Sequence, residues 1–336
     1  MSAIIEAKDL RMWFGKPEQK DSKGKPKGVK AVDGIDLSIR KGEIFGLLGP
    51  NGAGKTTTLS MLVTIKRPTG GWARVAGFDV AKDPDEVRRH VGIVFQEPSL
   101  DTLLSARENL LLHGRLYGVP PRELPGRAKE MLELVGLADR ADDLVKKYSG
   151  GMKRRLEIAR GLFHRPEVIF LDEPTLGLDP ATREHIWDYI RKLRDTMGTT
   201  VVLTTHYMEE ADSLCDRIAI IDKGKIATLG TPRELKAELG GDLVTLQGAR
   251  KARKAVEALP FVKKVEEKGD ALILTVENAG HNLPKILAAA GQVESVEVRT
   301  PRLEDVFLHH TGRGLREEGG EDWFDQYANM ASRGQG

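Results

Sequence analysis

Cysteine is all but missing: Cys215 stands alone in 336 residues, which excludes an internal disulfide and a thiol-rich metal site. Its surroundings, Ala211 to Ile218, read as helical, so Cys215 is expected to pack as a small apolar residue. No apolar run approaches the roughly eighteen residues that a membrane span needs. Met1 to Leu10 has neither the basic nor the apolar region of a secretory signal. The chain is therefore expected in the cytosol, reaching a membrane only through another protein. Charge of one sign is lacking too: 52 Lys and Arg against 50 Asp and Glu leave a formal +2. That field is too weak to argue for nucleic acid. What is present, 40% hydrophobic residues over this length, suffices for one large globular domain and a smaller one.

The most informative segment is Gly49-Pro50-Asn51-Gly52-Ala53-Gly54-Lys55-Thr56, which fits G-x-x-x-x-G-K-[ST] at every fixed position. It lies between the apolar run Ile44 to Leu48 and an amphipathic stretch beginning near Thr57, the strand–loop–helix context of a phosphate-cradling loop. Its N–H groups, with the helix N-terminus behind them, suit anionic oxygens. Lys55 would reach the β- and γ-phosphates and the Thr56 hydroxyl would hold Mg²⁺. Downstream, Val168-Ile169-Phe170-Leu171-Asp172 reads as a buried central strand that delivers a carboxylate to its end. Asp172 is expected to serve the metal and Glu173 to polarise an attacking water. A second phosphate-facing helix start is Tyr148-Ser149-Gly150-Gly151-Met152, leading into apolar positions Leu156, Ile158, Ala159 and Leu162. One chain does not need two cradles for one nucleotide. The second is expected to serve a nucleotide held by another subunit.

On these residues the chain resembles the ATP-binding subunit of an ABC (ATP-binding cassette) transporter. The family's motifs run in order over about residues 4–235. Walker A is Gly49 to Thr56, the Q-loop glutamine is Gln96, and the signature is Ser149-Gly150-Gly151. Walker B is Val168 to Asp172 with Glu173, the D-loop is Gly177-Leu178-Asp179, and the switch histidine is His206. Tyr148 and Met152 depart from the family's usual Leu and Gln at the ends of the signature. A narrower similarity, carried by Tyr148 to Leu156 and by Arg302-Leu303-Glu304-Asp305-Val306-Phe307-Leu308, is to the daunorubicin-resistance type, whose members serve ABC-2 exporters with a separate permease.

The resemblance implies an α/β P-loop NTPase fold: a RecA-like core, an antiparallel β subdomain and a helical subdomain over residues 1–240, with the arm at about 83–165. A small α+β domain over 241–312 and an acidic, aromatic tail over 313–336 would follow. It implies ATP and Mg²⁺ as ligands. Nucleotide contacts would come from Gly49, Asn51, Gly52, Ala53, Gly54, Lys55, Thr56, Thr57, Ser149, Gly150, Gly151 and Asp179, with Asp179 at the subunit interface. Metal contacts would come from Thr56, Gln96 and Asp172, and catalysis from Glu173, His206, Lys55 and Gln96. An aromatic near the end of the first strand would stack on adenine. Phe14 is the candidate and Trp13 the runner-up, because strand register decides which faces the site.

Along the chain, Ile4 to Trp13 and Val32 to Ile39 alternate like strands, with a turn at Asp33-Gly34, and the lysine-rich Lys16 to Lys30 reads as a mobile hairpin loop. Helical spacing appears at Pro84 to His90, Ser105 to Tyr117, Pro125 to Val135 and Asp139 to Val145. Thr199 to Thr205 reads as a strand ending at His206. Beyond Gly240-Gly241 the order β-α-β-β-α-β emerges, closed by a helix at Arg302 to His310. The function expected is hydrolysis of MgATP by a head-to-tail dimer on the cytoplasmic face of a membrane, coupled to export through a permease. Two alternatives are a soluble ABC ATPase acting on nucleic acid or ribosomes and a non-hydrolysing nucleotide sensor. One uninterrupted cassette speaks against the first, and the presence of Glu173 and His206 against the second.

Overall fold

The computed structural model describes residues 3–20 and 26–312. The chain divides into two compact units, Met1–Leu229 and one starting at Gly230, so the division falls earlier than residue 240. The reason lies in the short helix Pro232–Ala237, which packs on the helix Leu303–Thr311 and therefore belongs with the second unit.

The first unit holds two sheets. One is antiparallel, in the order β2-β1-β4-β5, from β1 (Ala3–Lys20), β2 (Pro26–Arg40), β4 (Gly70–Val75) and β5 (Phe78–Asp79). The hairpin is longer than its alternation suggested. Lys16 pairs with Lys27 and Lys20 with Pro26, so the described parts of the lysine-rich segment are strand rather than loop. Asp33-Gly34 is likewise not a turn but an irregularity inside β2, with Gly34 at φ 86°. Backbone pairing overrode composition here.

The second sheet has the order β10-β9-β3-β8-β7-β6, from β3 (Ile44–Leu48), β6 (Val91–Val94), β7 (Val168–Asp172), β8 (Thr200–Thr205), β9 (Arg217–Asp222) and β10 (Lys225–Gly230). Strands β9, β3, β8, β7 and β6 pair in parallel. Every residue of β3, β7 and β8 is buried, which explains the near-continuous apolar sequences of β3 and β7. A shared core, including Ile5, Leu10, Val32, Leu47, Leu59 and Phe170, joins this sheet to the antiparallel one.

Helices complete the unit: α1 (Lys55–Leu62), α2 (Pro84–His90), α3 (Ala106–Leu116), α4 (Leu124–Leu134), α5 (Gly150–Leu162), α6 (Pro180–Met197) and α7 (Met208–Leu214). Helix α6 starts at the Asp179 cap and stops at Gly198, whose φ of 63° suits glycine. Its Ile186, Ile190 and Leu193 recur at helical spacing and are fully buried, each contributing about 1.5–3 kcal/mol of burial. The helical arm is narrower than 83–165, because β6 returns the chain to the core sheet after α2; α3, α4 and α5 pack on one another. Asp139 to Val145 forms only 3₁₀ turns at Ala138–Arg140 and Val145–Lys147. Cys215 is buried, but in extended backbone after α7 rather than within a helix, because β9 begins two residues later.

In the second unit, after α8 (Pro232–Ala237), the strands β11 (Asp242–Gln247), β12 (Val262–Lys268), β13 (Ala271–Val276) and β14 (Ser295–Arg299) form an antiparallel sheet in the order β12-β13-β11-β14. Helices α9 (Arg253–Glu257) and α10 (Ala279–Ala290) intervene, and α11 (Leu303–Thr311) ends the unit. Val244, Leu246, Leu272, Leu274 and Ile286 make its core. The tail over 313–336 lies outside the described residues.

Candidate nucleotide-binding and hydrolysis site

Four adjacent parallel strands, β3, β8, β7 and β6, deliver four sequence motifs to one edge of the core sheet. Register aligns Leu48 with Thr205 and Asp172 with Thr204, so Gly49, His206, Asp172-Glu173 and Gln96 follow the carboxyl ends of neighbouring strands. Ligands of open α/β sheets bind at such ends.

The loop after β3 exposes Asn51, Gly52 and Thr56, while Gly49, Ala53, Gly54 and Lys55 are buried and Thr57 is half-buried. Gly54 has φ 107°, and a Cβ there would sit 2.5 Å from Ala31 O; only glycine fits under β2. Lys55 Nζ donates to Gly49 O (2.8 Å) and Pro50 O (3.2 Å) and lies 3.4 Å from Glu173 Oε1. Burial pulls the Lys55 ammonium below its ordinary pKa, against the attraction of Glu173.

Thr56 Oγ1 donates to Asp172 Oδ1 at 3.0 Å, and Thr204 Oγ1 donates to the same oxygen at 2.5 Å. Asp172 is thereby aimed at the loop. Glu173 has φ 46°, a left-handed backbone unusual for a glutamate, and its N–H donates to Thr204 O and Oγ1 at 3.2 and 3.0 Å. Burial raises the Glu173 pKa, but His206 and Lys55 outweigh it, and the carboxyl is held below its usual range. His206 Nδ1 lies 3.3 Å from Glu173 Oε1. Nδ1 is buried without another hydrogen-bond partner, and His206 is the strongest of the influences that lower the Glu173 pKa. Glu210, on α7 just beyond His206, accepts from Thr175 Oγ1 (2.8 Å) and Trp187 Nε1 (3.0 Å), tying this helix to the loop after Glu173.

The other expected residues lie farther out. Gln96 is exposed in the loop after β6. Ser149 and Gly150 are exposed at the start of α5, where Ser149 Oγ accepts from Met152 N at 3.3 Å; its hydroxyl proton stays available. Tyr148 is buried and donates to Arg140 O at 2.7 Å, a local reason for Tyr at this place. Asp179 caps α6, accepting from Thr182 N (3.0 Å) and Thr182 Oγ1 (2.6 Å). A Cβ on Gly151 would meet Thr182 Cγ2 at 2.6 Å, so the glycine there is also required by packing within this chain. Phe14 is 42% exposed, with Lys66 Nζ 5.3 Å from its ring centre. Trp13 is held by Lys30 and Arg11, 4.3 and 5.7 Å from its ring centre.

Sequence reasoning missed Thr204 and Arg154. Thr204 is a fully buried hydroxyl in an apolar strand, and a polar residue in a central strand is the signal that a partner must exist. Arg154 sits in the run Lys153-Arg154-Arg155, which looks like a solvated basic face, yet it is only 7% exposed.

Residues 32–176 match the family described as ABC transporter, and residues 230–311 match the family described as ATP-binding protein DrrA1-3-like, C-terminal domain. The chain is 45% identical to the daunorubicin resistance ATP-binding protein DrrA3 of Streptomyces coeruleorubidus, over 85% of this chain and 93% of that protein. It is 42% identical to the linearmycin resistance ATP-binding protein LnrL of Bacillus subtilis, over 94% and 100%. It is 41% identical to the Nod factor export ATP-binding protein I of Burkholderia thailandensis, over 85% and 93%. Among solved structures, the dimeric ATP-binding cassette MJ0796 bound to ADP and Pi is similar with TM-score 0.58 at 30% identity, covering 68% of this chain and 98% of that one. The cbiO1 protein of Clostridium perfringens, part of the ABC transporter complex cbiONQ, gives 0.62 at 26%, covering 77% and 97%.

Proposed function

Because this chain belongs to the ABC transporter family of ATP-binding subunits, and is an ATPase of the ABC-2 exporter type, we propose how its residues divide the work. The observation that carries the proposal is the row of Lys55, His206, Asp172-Glu173 and Gln96 at adjacent strand ends, set beside an exposed signature helix start.

ATP phosphates lie along the Gly49 to Thr56 loop, with Lys55 and the N–H groups of Gly52, Ala53, Gly54, Thr56 and Thr57 as donors. Asn51, exposed within the same loop, adds a nucleotide contact. Thr56 and Asp172, hard oxygen donors already 3.0 Å apart, fit Mg²⁺, with Gln96 on the neighbouring strand end. When bound, Mg²⁺ neutralises phosphate charge. Glu173, ionised and held on a fixed backbone, accepts the proton of an attacking water, while His206 and Lys55 face the charge that spreads over the γ-phosphoryl group. Phe14 stacks on adenine.

Ser149, Gly150 and Gly151 of a second copy close over the γ-phosphate, with Asp179 at the junction of the two copies, so each site is completed in a head-to-tail dimer. Among the described residues no helix is long and apolar enough to cross a membrane. Coupling to export then proceeds through a separate integral membrane permease, at the cytoplasmic face.

The test is phosphate release and size-exclusion chromatography with MgATP, on wild type and Glu173→Gln. Turnover is expected to fall by about 10²- to 10⁴-fold while ATP binding persists and the dimer accumulates. A variant that hydrolyses at the wild-type rate removes Glu173 from the base role.

A further inference from the structure

Arg154 lies one and a half turns into α5, the helix that Ser149 begins, and all five of its N–H donors are engaged. Nε donates to Pro174 O (2.8 Å); Nη1 to Phe95 O (2.5 Å) and Glu157 Oε2 (3.3 Å); Nη2 to Asp172 O (2.9 Å) and Glu173 O (3.1 Å). A guanidinium has five donors in a planar fork, and no other side chain could serve these acceptors together. The same helix face grips the far end of the Gln96 loop: Glu157 Oε1 accepts from Ser99 N (2.8 Å) and Arg160 Nη1 donates to Ser99 O (2.6 Å).

We infer that Arg154 is a positioning residue for hydrolysis, which ties the signature helix to the Glu173 backbone and to the Gln96 loop. The inference rests on the reading that Glu173 directs the attacking water. Glu173 holds a left-handed φ of 46°, a conformation that persists only where its surroundings over-determine it. Its N–H is fixed by Thr204 and its carbonyl by Arg154. Without Arg154 the peptide after Glu173 loses the guanidinium that holds its carbonyl, and the carboxylate swings away from Lys55 and His206. The fork also gives a displacement of α5, driven by nucleotide at the Ser149 end, a direct route to the base. A misplacement of a catalytic group by about 1 Å can cost on the order of 10²-fold in rate.

The experiment is a kinetic double-mutant cycle on the full chain, measuring kcat and KM for MgATP by phosphate release. It compares wild type, Arg154→Gln, Glu173→Gln and the double variant, with Arg154→Lys as the variant that keeps charge but not the fork. Arg154→Gln is expected to lower kcat at least about tenfold with KM within about threefold, and Arg154→Lys to fall between it and wild type. The double variant should be no slower than Glu173→Gln alone, because nothing remains for Arg154 to position. If Arg154→Gln does not fold, the cycle is run with Arg154→Lys. The inference is overturned if kcat is unchanged, if KM rises in step with the loss, or if the two losses multiply. A Glu173→Gln enzyme as fast as wild type would instead sink the base reading itself, and this inference with it.

Discussion

Lys55 Nζ stands 3.4 Å from Glu173 Oε1, and both side chains are nearly withdrawn from solvent. The ammonium comes from the loop after β3 and the carboxylate from the end of β7, two strands away across β8. His206, at the end of the intervening strand, approaches the same carboxylate oxygen. Two cationic or cationisable groups thus face one carboxylate whose burial alone would favour its neutral form.

A pH prediction follows from the sign of that balance. Glu173 can accept a proton only when ionised, and its pKa is held below the ordinary glutamate value of 4.5, so acidification of the wild type removes this base only under more acidic conditions. In His206→Gln the lowering influence of His206 is gone while burial remains. The Glu173 pKa rises, and the acid limb of the kcat–pH profile should move to higher pH, besides a lower plateau. The profile measured from about pH 8 down to about pH 3.5, so that the wild-type limb lies inside it, checks this; an unmoved limb would show that His206 does not govern the carboxylate.

Phe14 and Trp13 make opposite predictions. Phe14 is exposed, with Lys66 near its ring, whereas Trp13 is half-buried and already carries Arg11 and Lys30 at its ring. Phe14→Ala is expected to weaken ATP binding by the worth of one base stack, about 1–3 kcal/mol or roughly 5- to 150-fold. Trp13→Ala should leave affinity within about twofold. Equilibrium binding of a fluorescent ATP analogue to both variants decides, and the reverse ranking would transfer the role to Trp13.

Gly151 is constrained from within the chain. Its missing Cβ would press on Thr182 Cγ2, while Thr182 Oγ1 is bound to Asp179. Gly151→Ala should cost about 1–3 kcal/mol of stability by overpacking and slow hydrolysis by shifting the Asp179 segment. Thr182→Ser removes that methyl and keeps the hydroxyl, so the pair Gly151→Ala, Thr182→Ser should recover most of the stability. Denaturant unfolding of the three variants reads this out, and no recovery would place the strain elsewhere.

Ser105 opens α3 with a reciprocal capping box: Glu108 N donates to Ser105 Oγ (3.2 Å) and Ser105 N to Glu108 Oε2 (2.7 Å). Ser105→Ala should destabilise the first unit by about 1 kcal/mol, seen as an earlier midpoint in urea. ATP affinity should be unchanged, since the cap bonds of Ser105 stay within α3 and do not involve the Gly49 to Thr57 loop.

Most elements could be read from local pattern, and the failures are instructive. Ile44 to Leu48 and Val168 to Asp172 announced buried parallel strands because both faces of a central strand are covered. Lys16 to Lys30 looked unable to order, yet its described ends continue the β1–β2 ladder, because backbone hydrogen bonds do not depend on side-chain polarity. Asp139 to Val145 kept helical spacing but broke into 3₁₀ turns, its Val145 N–H being taken by Leu104 O across the arm. A partner distant in sequence is invisible to periodicity.

What the sequence determined by itself was chemistry: which residues carry phosphate-facing donors, carboxylates and an imidazole, and in what order. Those properties are local, set by glycine spacing and by the residue that ends each apolar strand. The tertiary structure alone decided their juxtaposition. Strand order β3-β8-β7-β6 differs from chain order, so it brings Lys55, His206 and Glu173 together from segments separated by most of the first unit. It also decided that Arg154, one of three consecutive basic residues, is the buried one. Helix rotation points its neighbours elsewhere and leaves its fork among five acceptors that only the folded chain assembles.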